Sequence, residues 1–170
     1  MKRSVLLLAL LTFNTQAAWE THKQKTRQGQ SSLLSAFGKY SLIQIQCYQR
    51  LPGQFRLDIG TNLTLGPIPA RNHNAIVDFR IDGHPLLRFD NVAIMMGDNG
   101  KTTYITMSNQ SRYLDRLISN MKMSKTLKFD IYYNGNVVTD EVDMSLFMKN
   151  YLDAYCFSGM TNNEAFKDRR

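Results

Sequence analysis

Alternation of apolar and polar side chains is the clearest pattern in the first half of the chain. Residues 42–47 place Ile43, Ile45 and Cys47 on one face and two glutamines on the other. A period of two residues is typical of a half-buried β-strand. The pattern therefore predicts a core strand whose inner face carries the two isoleucines and the cysteine.

Similar stretches, separated by turn signals, predict further strands. The predicted strands cover residues 19–25, 32–37, 40–48, 54–59, 75–81, 84–89, 92–96, 102–107, 127–133 and 136–142. Asp82-Gly83 and Asn134-Gly135 are strong hairpin signals. The first strand is rich in charge, so we expect it at a sheet edge, paired with the second. The sum predicts a mainly β fold, most simply an antiparallel β-sandwich.

Two segments change from a period of two to a helical period. The apolar residues of the first follow i, i+3, i+4, i+7 spacing: Leu114, Leu117, Ile118 and Met121. This spacing predicts a short helix with one buried side. A second helix is predicted over residues 145–155, with Asp143 as its N-cap, and it ends at Cys156. We expect this helix to dock on the inner face of the strand over residues 42–47.

The first eighteen residues have the features of a signal peptide. Lys2 and Arg3 precede an unbroken apolar run over residues 5–11. Small residues follow and favour cleavage after Ala17, with Ala18 as the alternative. The apolar run is far shorter than the ~20 residues of a membrane span, and no second run reaches that length. The sequence thus predicts a signal peptide (1–18), one domain (19–157) and a polar C-terminal tail (158–170).

The chain has two cysteines, Cys47 and Cys156, which are 109 residues apart. In a secreted protein this predicts one disulfide bond. Closing a loop of that length stabilises a fold by at most roughly 4–5 kcal/mol. The alternative, a reactive cysteine with a histidine partner, needs a reduced thiol and is disfavoured by the export signal.

The charge balance is moderately basic, with 21 Lys and Arg against 14 Asp and Glu. Removing Lys2 and Arg3 leaves 19 basic residues and a formal charge of +5, because all 14 acidic residues follow residue 18. A charge of this size favours solubility and contact with anionic surfaces. Basic residues do not form the stripe with interleaved aromatics that nucleic-acid binding needs, so we expect no nucleic-acid partner.

Candidate catalytic and metal-binding residues are sparse. The histidines are His22, His73 and His84, and no pair has the spacing of a zinc site. No Gly-x-Ser-x-Gly motif and no phosphate-binding glycine loop is present. We therefore expect no cofactor, no metal and no enzymatic activity.

Asp78 and Asp82, with Arg80 between them, fall on one face of a predicted strand. As paired carboxylates they would suit acid–base chemistry. Residues four apart on a strand are separated by ~13 Å, which is too far for a glycosidase pair. The preferred interpretation is a solvated sheet face with cross-strand ion pairs.

Several short motifs, taken in order, resemble one group of proteins. These motifs are the start of the predicted domain at Trp19 and residues 42–47, 55–59, 77–82, 113–118, 125–129, 142–146 and 154–156. They are similar to the small periplasmic proteins associated with type VI secretion and, more loosely, to the invasion-associated locus B group. The resemblance implies a signal peptide, a β-sandwich, a disulfide between a central-strand cysteine and a C-terminal cysteine, and an accessory role.

The sequence as a whole predicts an exported, periplasmic or secreted, non-enzymatic interaction protein, and the resemblance implies an accessory role in a type VI secretion system. Its expected partner is an envelope or secretion-system protein. The alternative is a secreted inhibitor or envelope-modifying factor that acts on an enzyme or a cell-wall component. For an inhibitor, the loop from Gly60 to Asn74 is the candidate element that enters a partner's cleft. The oligomeric state stays open.

Overall fold

The computed structural model describes most of the predicted domain. The described residues are 19–26, 29–48, 55–63, 65–68, 73–97, 101–108, 112–154 and 156. The predicted signal peptide (1–18) and the predicted tail (158–170) lie outside them. In the described part of the chain, no helix combines the length and apolar character that crossing a membrane requires.

Nine strands and two helices make up the described structure. They are β1 (Glu20–Thr26), β2 (Gly29–Phe37), β3 (Ser41–Tyr48), β4 (Phe55–Thr61), β5 (His73–Ile81), β6 (Leu87–Met96), β7 (Thr103–Ser108), α1 (Arg112–Met121), β8 (Thr126–Tyr133), β9 (Asn136–Asp143) and α2 (Phe147–Asp153). The predicted mainly antiparallel β domain with two short helices is confirmed.

All nine described strands belong to one sheet, in the order β1-β2-β3-β4-β7-β6-β5-β8-β9. Every neighbouring pair is antiparallel, and the sheet curls into a half-barrel. The predicted β-sandwich is therefore not confirmed, because the strands do not divide into two facing sheets. Alternation identifies the buried face of each strand, but a curled sheet and a sandwich both have one buried face per strand.

The inner face of the half-barrel holds the predicted core. Ile43, Ile45 and Cys47 of β3 are 0%, 0% and 1% exposed, which confirms the predicted inner face. The predicted apolar stripe of α1 is also buried, and this helix packs against β5 and β6. β1 lies at the edge of the sheet and pairs with β2, as its charged sequence predicts.

One predicted pair of strands is a single strand. Residues 84–89 and 92–96 were expected to be separate, whereas β6 runs continuously from Leu87 to Met96. Asn91 has a φ of 58° and lies where the pairing with β5 shifts register. Asparagine tolerates this left-handed conformation, so the strand bends without ending.

The predicted N-cap of α2 is wrong. The helix begins at Phe147, and the residue before it, Leu146, has a φ of 64° and makes no side-chain capping hydrogen bond. Asp143 ends β9, and its Oδ1 accepts a hydrogen bond from the backbone N–H of Ser145 at 2.7 Å. The backbone of Asp143 therefore belongs to β9, and its side chain stabilises the turn that precedes the helix.

The helix α2 ties the N-terminal edge of the sheet to the C-terminal edge. Trp19 is 2% exposed, and its Nε1 donates to the carbonyl of Asp143 at 3.0 Å. Its ring meets Phe147 edge-on, with 4.7 Å between centroids. Asn150 of α2 donates to the carbonyl of Trp19 at 2.7 Å and accepts from Thr21 Oγ1 at 2.9 Å. The strand that α2 mainly contacts is therefore β1 and not β3, on which it was expected to dock, and Cys156 beyond the helix reaches β3 through the disulfide.

A carboxylate closes the half-barrel at the turn between β2 and β3. Asp140 of β9 is 5% exposed and accepts the backbone N–H groups of Lys39 (3.0 Å), Tyr40 (2.8 Å) and Glu141 (2.8 Å). A Cβ on Gly38 would lie 2.7 Å from Asp140 Oδ2, so the turn needs glycine there. The carboxylate therefore joins β9 to a turn about a hundred residues earlier.

We expect Asp140→Asn to destabilise the fold by about 1–3 kcal/mol. An amide has one acceptor oxygen, so its NH₂ group must face a backbone N–H that the carboxylate now accepts. Urea unfolding measures the loss, and Asp82→Asn, at an exposed turn, is the matched control. Equal stability of the two variants would contradict the role of Asp140.

The disulfide joins Cys47 to Cys156, with 5.0 Å between the Cα atoms, and confirms the predicted pairing. We expect Cys47→Ala and Cys156→Ala to lower the free energy of unfolding by similar amounts, roughly 2–5 kcal/mol. Each variant opens the same loop, so the reduced wild-type protein is the control. Clearly unequal losses in thermal unfolding would show separate roles for the two cysteines.

Candidate functional site

The groove on the surface of the half-barrel lies where the β2–β3 turn meets the ends of β4 and β7. Its volume is about 410 Å³. Its lining residues come from the turn, four strands and two adjoining loops: Phe37, Gly38, Lys39, Tyr40, Ser41, Leu42, Gly60, Asn62, Thr102 and Tyr104. We call this surface the aromatic groove, since three aromatic side chains line it.

Strand register places most of the aromatic groove in one row. Phe37 of β2 is opposite Leu42 of β3, Leu42 is opposite Gly60 of β4, and Gly60 is opposite Tyr104 of β7. Side chains opposite each other on neighbouring strands share a face. The row therefore crosses four strands on the outer face of the sheet.

The aromatic side chains of the groove remain accessible to a ligand. Phe37 is 62% exposed, Tyr40 43% and Tyr104 38%. Large apolar side chains that are exposed together, rather than singly, mark interaction sites. This surface is thus a candidate binding site.

Two glycines hold the ring of Tyr104. A Cβ on Gly60 would lie 3.1 Å from Cε1 of Tyr104, and a Cβ on Gly97 would lie 2.7 Å from Cε2 on the opposite side of the ring. The ring thus occupies space that side chains at these positions would need. Close packing on both edges restricts the ring, so the groove has a preformed wall.

The polar groups of the aromatic groove are a lysine, several hydroxyl groups and an amide, so both hydrogen-bond donors and acceptors line it. Lys39 Nζ lies 4.7 Å from the centroid of the Tyr40 ring, and the hydrogen bond with Tyr40 raises the pKa of Lys39. Thr102 Oγ1 donates to Asn62 Oδ1 at 3.1 Å. Ser41 Oγ is buried and has no hydrogen-bond partner. Lys39 is the one charged side chain in the described lining, and the negative charge of Asp140, behind the same turn, acts on it.

The predicted loop from Gly60 to Asn74 is shorter in the structure, since β4 runs through Thr61 and β5 begins at His73, and the segment contributes to the groove only at its start. Gly60 and Asn62 line the groove. Leu65 is fully buried, and its carbonyl accepts a hydrogen bond from Asn136 Nδ2 at 3.1 Å. The described part of this loop is therefore anchored in the core at its centre.

The histidines lie apart from the groove lining. His22 is exposed in β1, with its Nε2 3.4 Å from Glu20 Oε2, and His84 is exposed in the turn before β6. His73, expected in a loop, begins β5, and its side chain lies outside the described residues. Among the residues that the structure describes, no three His, Cys, Asp or Glu side chains are grouped as metal ligands.

The predicted face with Asp78 and Arg80 contains cross-strand ion pairs. Arg88 donates to Asp78 through Nε (2.8 Å) and Nη2 (2.7 Å), and Arg80 pairs with Asp130. Asp78 and Asp130 are directly opposite each other and only 2% and 4% exposed, so the two carboxylates are not solvated. The long arginine side chains explain this burial, because they lie over the carboxylates that they bind.

The aromatic groove was not predicted from the sequence, although a signal was present. Tyr40 and Leu42 share the strand parity of the outward-facing glutamines, not that of the buried Ile43. Tyr104 likewise alternates with the buried Ile105. Apolar residues on a solvent-facing parity indicate an exposed apolar surface. The sequence does not show that these strands are neighbours.

Comparison of the chain with family models, with curated proteins and with solved structures finds no match. The resemblance to periplasmic proteins associated with type VI secretion therefore stays a prediction.

Because of the ion pair between Arg80 and Asp130, the free energy of unfolding depends on pH in the acidic range. Burial alone raises the pKa of Asp130, but hydrogen bonds from Arg80 and Thr139 outweigh it and hold the pKa below its usual 3.8. A lowered pKa stabilises the fold above the unfolded-state value, and this stabilisation is lost as the pH falls through the folded-state pKa.

We therefore expect Asp130→Asn to be less stable than the wild type at neutral pH and to lose less stability on acidification below about pH 4. Urea unfolding at a series of pH values measures both effects. Asp153→Asn, at an exposed position of α2, is the control. An unchanged slope of stability against pH in Asp130→Asn would contradict the assignment.

Proposed function

We propose that this chain is an exported, non-enzymatic interaction protein that binds an envelope or secretion-system protein through the aromatic groove. The observation that supports the proposal best is the exposure of three aromatic side chains, Phe37, Tyr40 and Tyr104, in one groove. Aromatic side chains dominate the binding energy of protein interfaces, and a preformed site loses little entropy on binding.

The chemistry of the groove supports binding rather than catalysis. Lys39 is the one charged side chain in its described lining, which therefore offers neither a pair of carboxylates nor a histidine for acid–base chemistry. A volume of about 410 Å³ is within the range of ligand sites, and it suits a short segment of a partner. Interaction is therefore the better-supported function class.

The proposal includes a location outside the cytoplasm and an accessory role in type VI secretion. The buried disulfide of Cys47 and Cys156 supports the location, because stable disulfides form in oxidising compartments. The accessory role rests on the resemblance of the sequence motifs. The resemblance implies a β-sandwich fold for that group. Membership of this chain in the group would therefore require the half-barrel to be a variant of the β-sandwich.

The alternative function, a secreted inhibitor, depended on a protruding loop between Gly60 and Asn74. Leu65 is buried at the centre of that loop. No observation on the described residues favours an inhibitor over an interaction protein.

Affinity capture from an envelope extract tests the proposed function. We expect the wild type and Met123→Ala to retain the same partner, and the double variant Phe37→Ala/Tyr104→Ala to lose it, because it removes the aromatic anchors. Met123 is 86% exposed and does not line the groove, so it is the matched control.

Equal capture by the control and the double variant, with both folded by thermal unfolding, would refute the groove as the binding site. A groove-dependent partner that is not a secretion-system component would refute the accessory role alone.

A further inference from the structure

We infer that a second surface of the protein, centred on α2, docks on the anionic surface of a phospholipid bilayer. We call this surface the lysine-rimmed patch. Its exposed apolar side chains belong to α2 and to the neighbouring turns: Met123, Leu146, Met148 and Leu152. Lys122, Lys125 and Lys149 lie in the same segments. The patch is separate from the aromatic groove, whose lining contains none of these residues.

The helix α2 is apolar on its outer side as well as on its inner side. Phe147 and Tyr151 are buried, whereas Met148 and Leu152 are each 42% exposed. Met148 and Leu152 are four residues apart, so they lie on one face of the helix. A helix that packs on a sheet usually has polar residues on its outer side. The outer face of α2 is therefore an apolar surface that the described part of the domain leaves uncovered.

Leu146, directly before α2, combines an unfavourable backbone conformation with an exposed side chain. Its φ is 64°, in the left-handed region that bulky residues rarely adopt, and its side chain is 53% exposed. The backbone N–H and Nδ2 of Asn150 both donate to its carbonyl at 3.0 Å, so the backbone is held in place. Glycine adopts this conformation without strain. An exposed leucine at such a position is costly for the fold, which indicates that its side chain serves an interaction.

The turn between α1 and β8 places Met123 beside α2. Lys122 Nζ lies 4.2 Å from the centroid of the Tyr151 ring, so the end of α1 contacts α2. The carbonyl of Lys125 accepts the backbone N–H of Met144 at 2.9 Å, which joins the same turn to the segment that leads into α2. Met123, between these two contacts, is 86% exposed. The apolar side chains of the turn and of α2 thus belong to neighbouring segments.

The basic residues next to these apolar side chains are complementary to an anionic bilayer. Residues 120–126 and 144–153 contain three lysines and one acidic residue, Asp153. Lysine side chains can extend to lipid phosphates while apolar side chains enter the boundary between headgroups and acyl chains. Each lysine near an anionic bilayer strengthens binding. A second copy of the chain would bring the same lysines together, which like-charge repulsion disfavours.

The acidic groups around the patch do not cancel its basic residues. Asp143 Oδ1 accepts the backbone N–H of Ser145 at 2.7 Å. Burial and then the charge of Asp115 raise the pKa of Tyr151, so Asp115 of α1 also lies near α2. Arg116 follows Asp115 in the same helix and is exposed too. Counted together, the four basic and three acidic residues leave an excess of one positive charge, so apolar contact and charge act together in binding.

The path of the chain also supports a bilayer as the occupant. The described structure begins at Trp19, whose ring meets Phe147 and whose carbonyl accepts Asn150 Nδ2. The predicted signal peptide ends directly before Trp19, and its apolar run over residues 5–11 is the part that enters the membrane during export. This step rests on the export that belongs to the proposed function. It places α2 on the side of the domain that emerges nearest to the bilayer.

Co-sedimentation with lipid vesicles tests the inference. The probes are vesicles of phosphatidylethanolamine with phosphatidylglycerol, which is anionic, and vesicles of phosphatidylethanolamine with phosphatidylcholine, which carry no net charge. The protein is the exported chain after removal of the predicted signal peptide, which mass spectrometry checks. We expect it to bind the anionic vesicles more tightly than the neutral ones and to bind them less tightly at high salt.

The apolar face of α2 and its lysines are tested by two double variants. Met148→Ser/Leu152→Ser should weaken binding to anionic vesicles about tenfold, because it removes the exposed apolar side chains of the helix. Lys125→Glu/Lys149→Glu should remove the preference for anionic over neutral vesicles. The matched control, Leu86→Ser/Val137→Ser, removes two similarly exposed apolar side chains outside the patch and should bind as the wild type does.

Leu146→Gly separates a binding role from a structural one. Glycine relieves the backbone strain, so the melting temperature should not fall, while the loss of the side chain should weaken vesicle binding about threefold. A lower melting temperature with unchanged vesicle binding would show that Leu146 serves the fold, and this result would overturn the inference.

The inference is also overturned if the wild type does not prefer anionic vesicles, or if Met148→Ser/Leu152→Ser binds them as the control does. Dimerisation that this variant abolishes, without vesicle binding, would assign the patch to a second copy instead. The groove variant Phe37→Ala/Tyr104→Ala should bind vesicles normally. Groove-dependent capture of a partner without vesicle binding would leave the proposed function standing alone, and vesicle binding without groove-dependent capture would leave only the lysine-rimmed patch.

Discussion

The carboxylate of Asp140 is the interaction on which the shape of the molecule depends. A curled sheet has two free edges, and hydrogen bonds between neighbouring strands do not fix how far it curls. Asp140 lies on the inner face of β9, near the C-terminal edge, and binds the backbone of the β2–β3 turn near the N-terminal edge. Burying a charge costs free energy unless the charge is fully hydrogen-bonded. The arrangement in which Asp140 keeps its three N–H partners is therefore favoured. The contact of Asp140 with the β2–β3 turn therefore limits how far the sheet curls, and the apolar core fills the space inside the curled sheet.

The same contact shapes the aromatic groove. Lys39 and Tyr40 donate their backbone N–H groups to Asp140, and their side chains are then left on the outer surface. The side of the turn that binds Asp140 thus closes the fold, and the opposite side presents a cation and a ring. Tyr104 is restricted independently, by Gly60 and Gly97. A groove built from two such restricted elements needs little ordering when a ligand enters, which favours affinity.

Local patterns predicted most of the elements, and long-range contacts explain what they missed. The alternation around Ile43 and the spacing of the apolar residues in α1 indicated buried faces that the structure confirms. Asp143 was predicted to cap α2 because its residue type suits that position, but pairing with β8 extends β9 through it. The groove and the half-barrel depend on which strands are neighbours, and β4 pairs with β7 across more than forty residues. A period of two residues contains no information about such pairings.

Three ties close the fold, and each joins residues far apart in sequence. The contact of Lys39 with Asp140 spans 101 residues, that of Trp19 with Asp143 spans 124, and the disulfide spans 109. Closing a long loop costs conformational entropy. Once the first of these contacts has formed, the residues of the other two are already close together, so most of that cost is not incurred again. The three ties should therefore be cooperative rather than additive. The aromatic groove depends on one of these contacts, that of Asp140 with the β2–β3 turn. It should therefore form only when the whole domain is folded, and not in the β2–β3 hairpin alone.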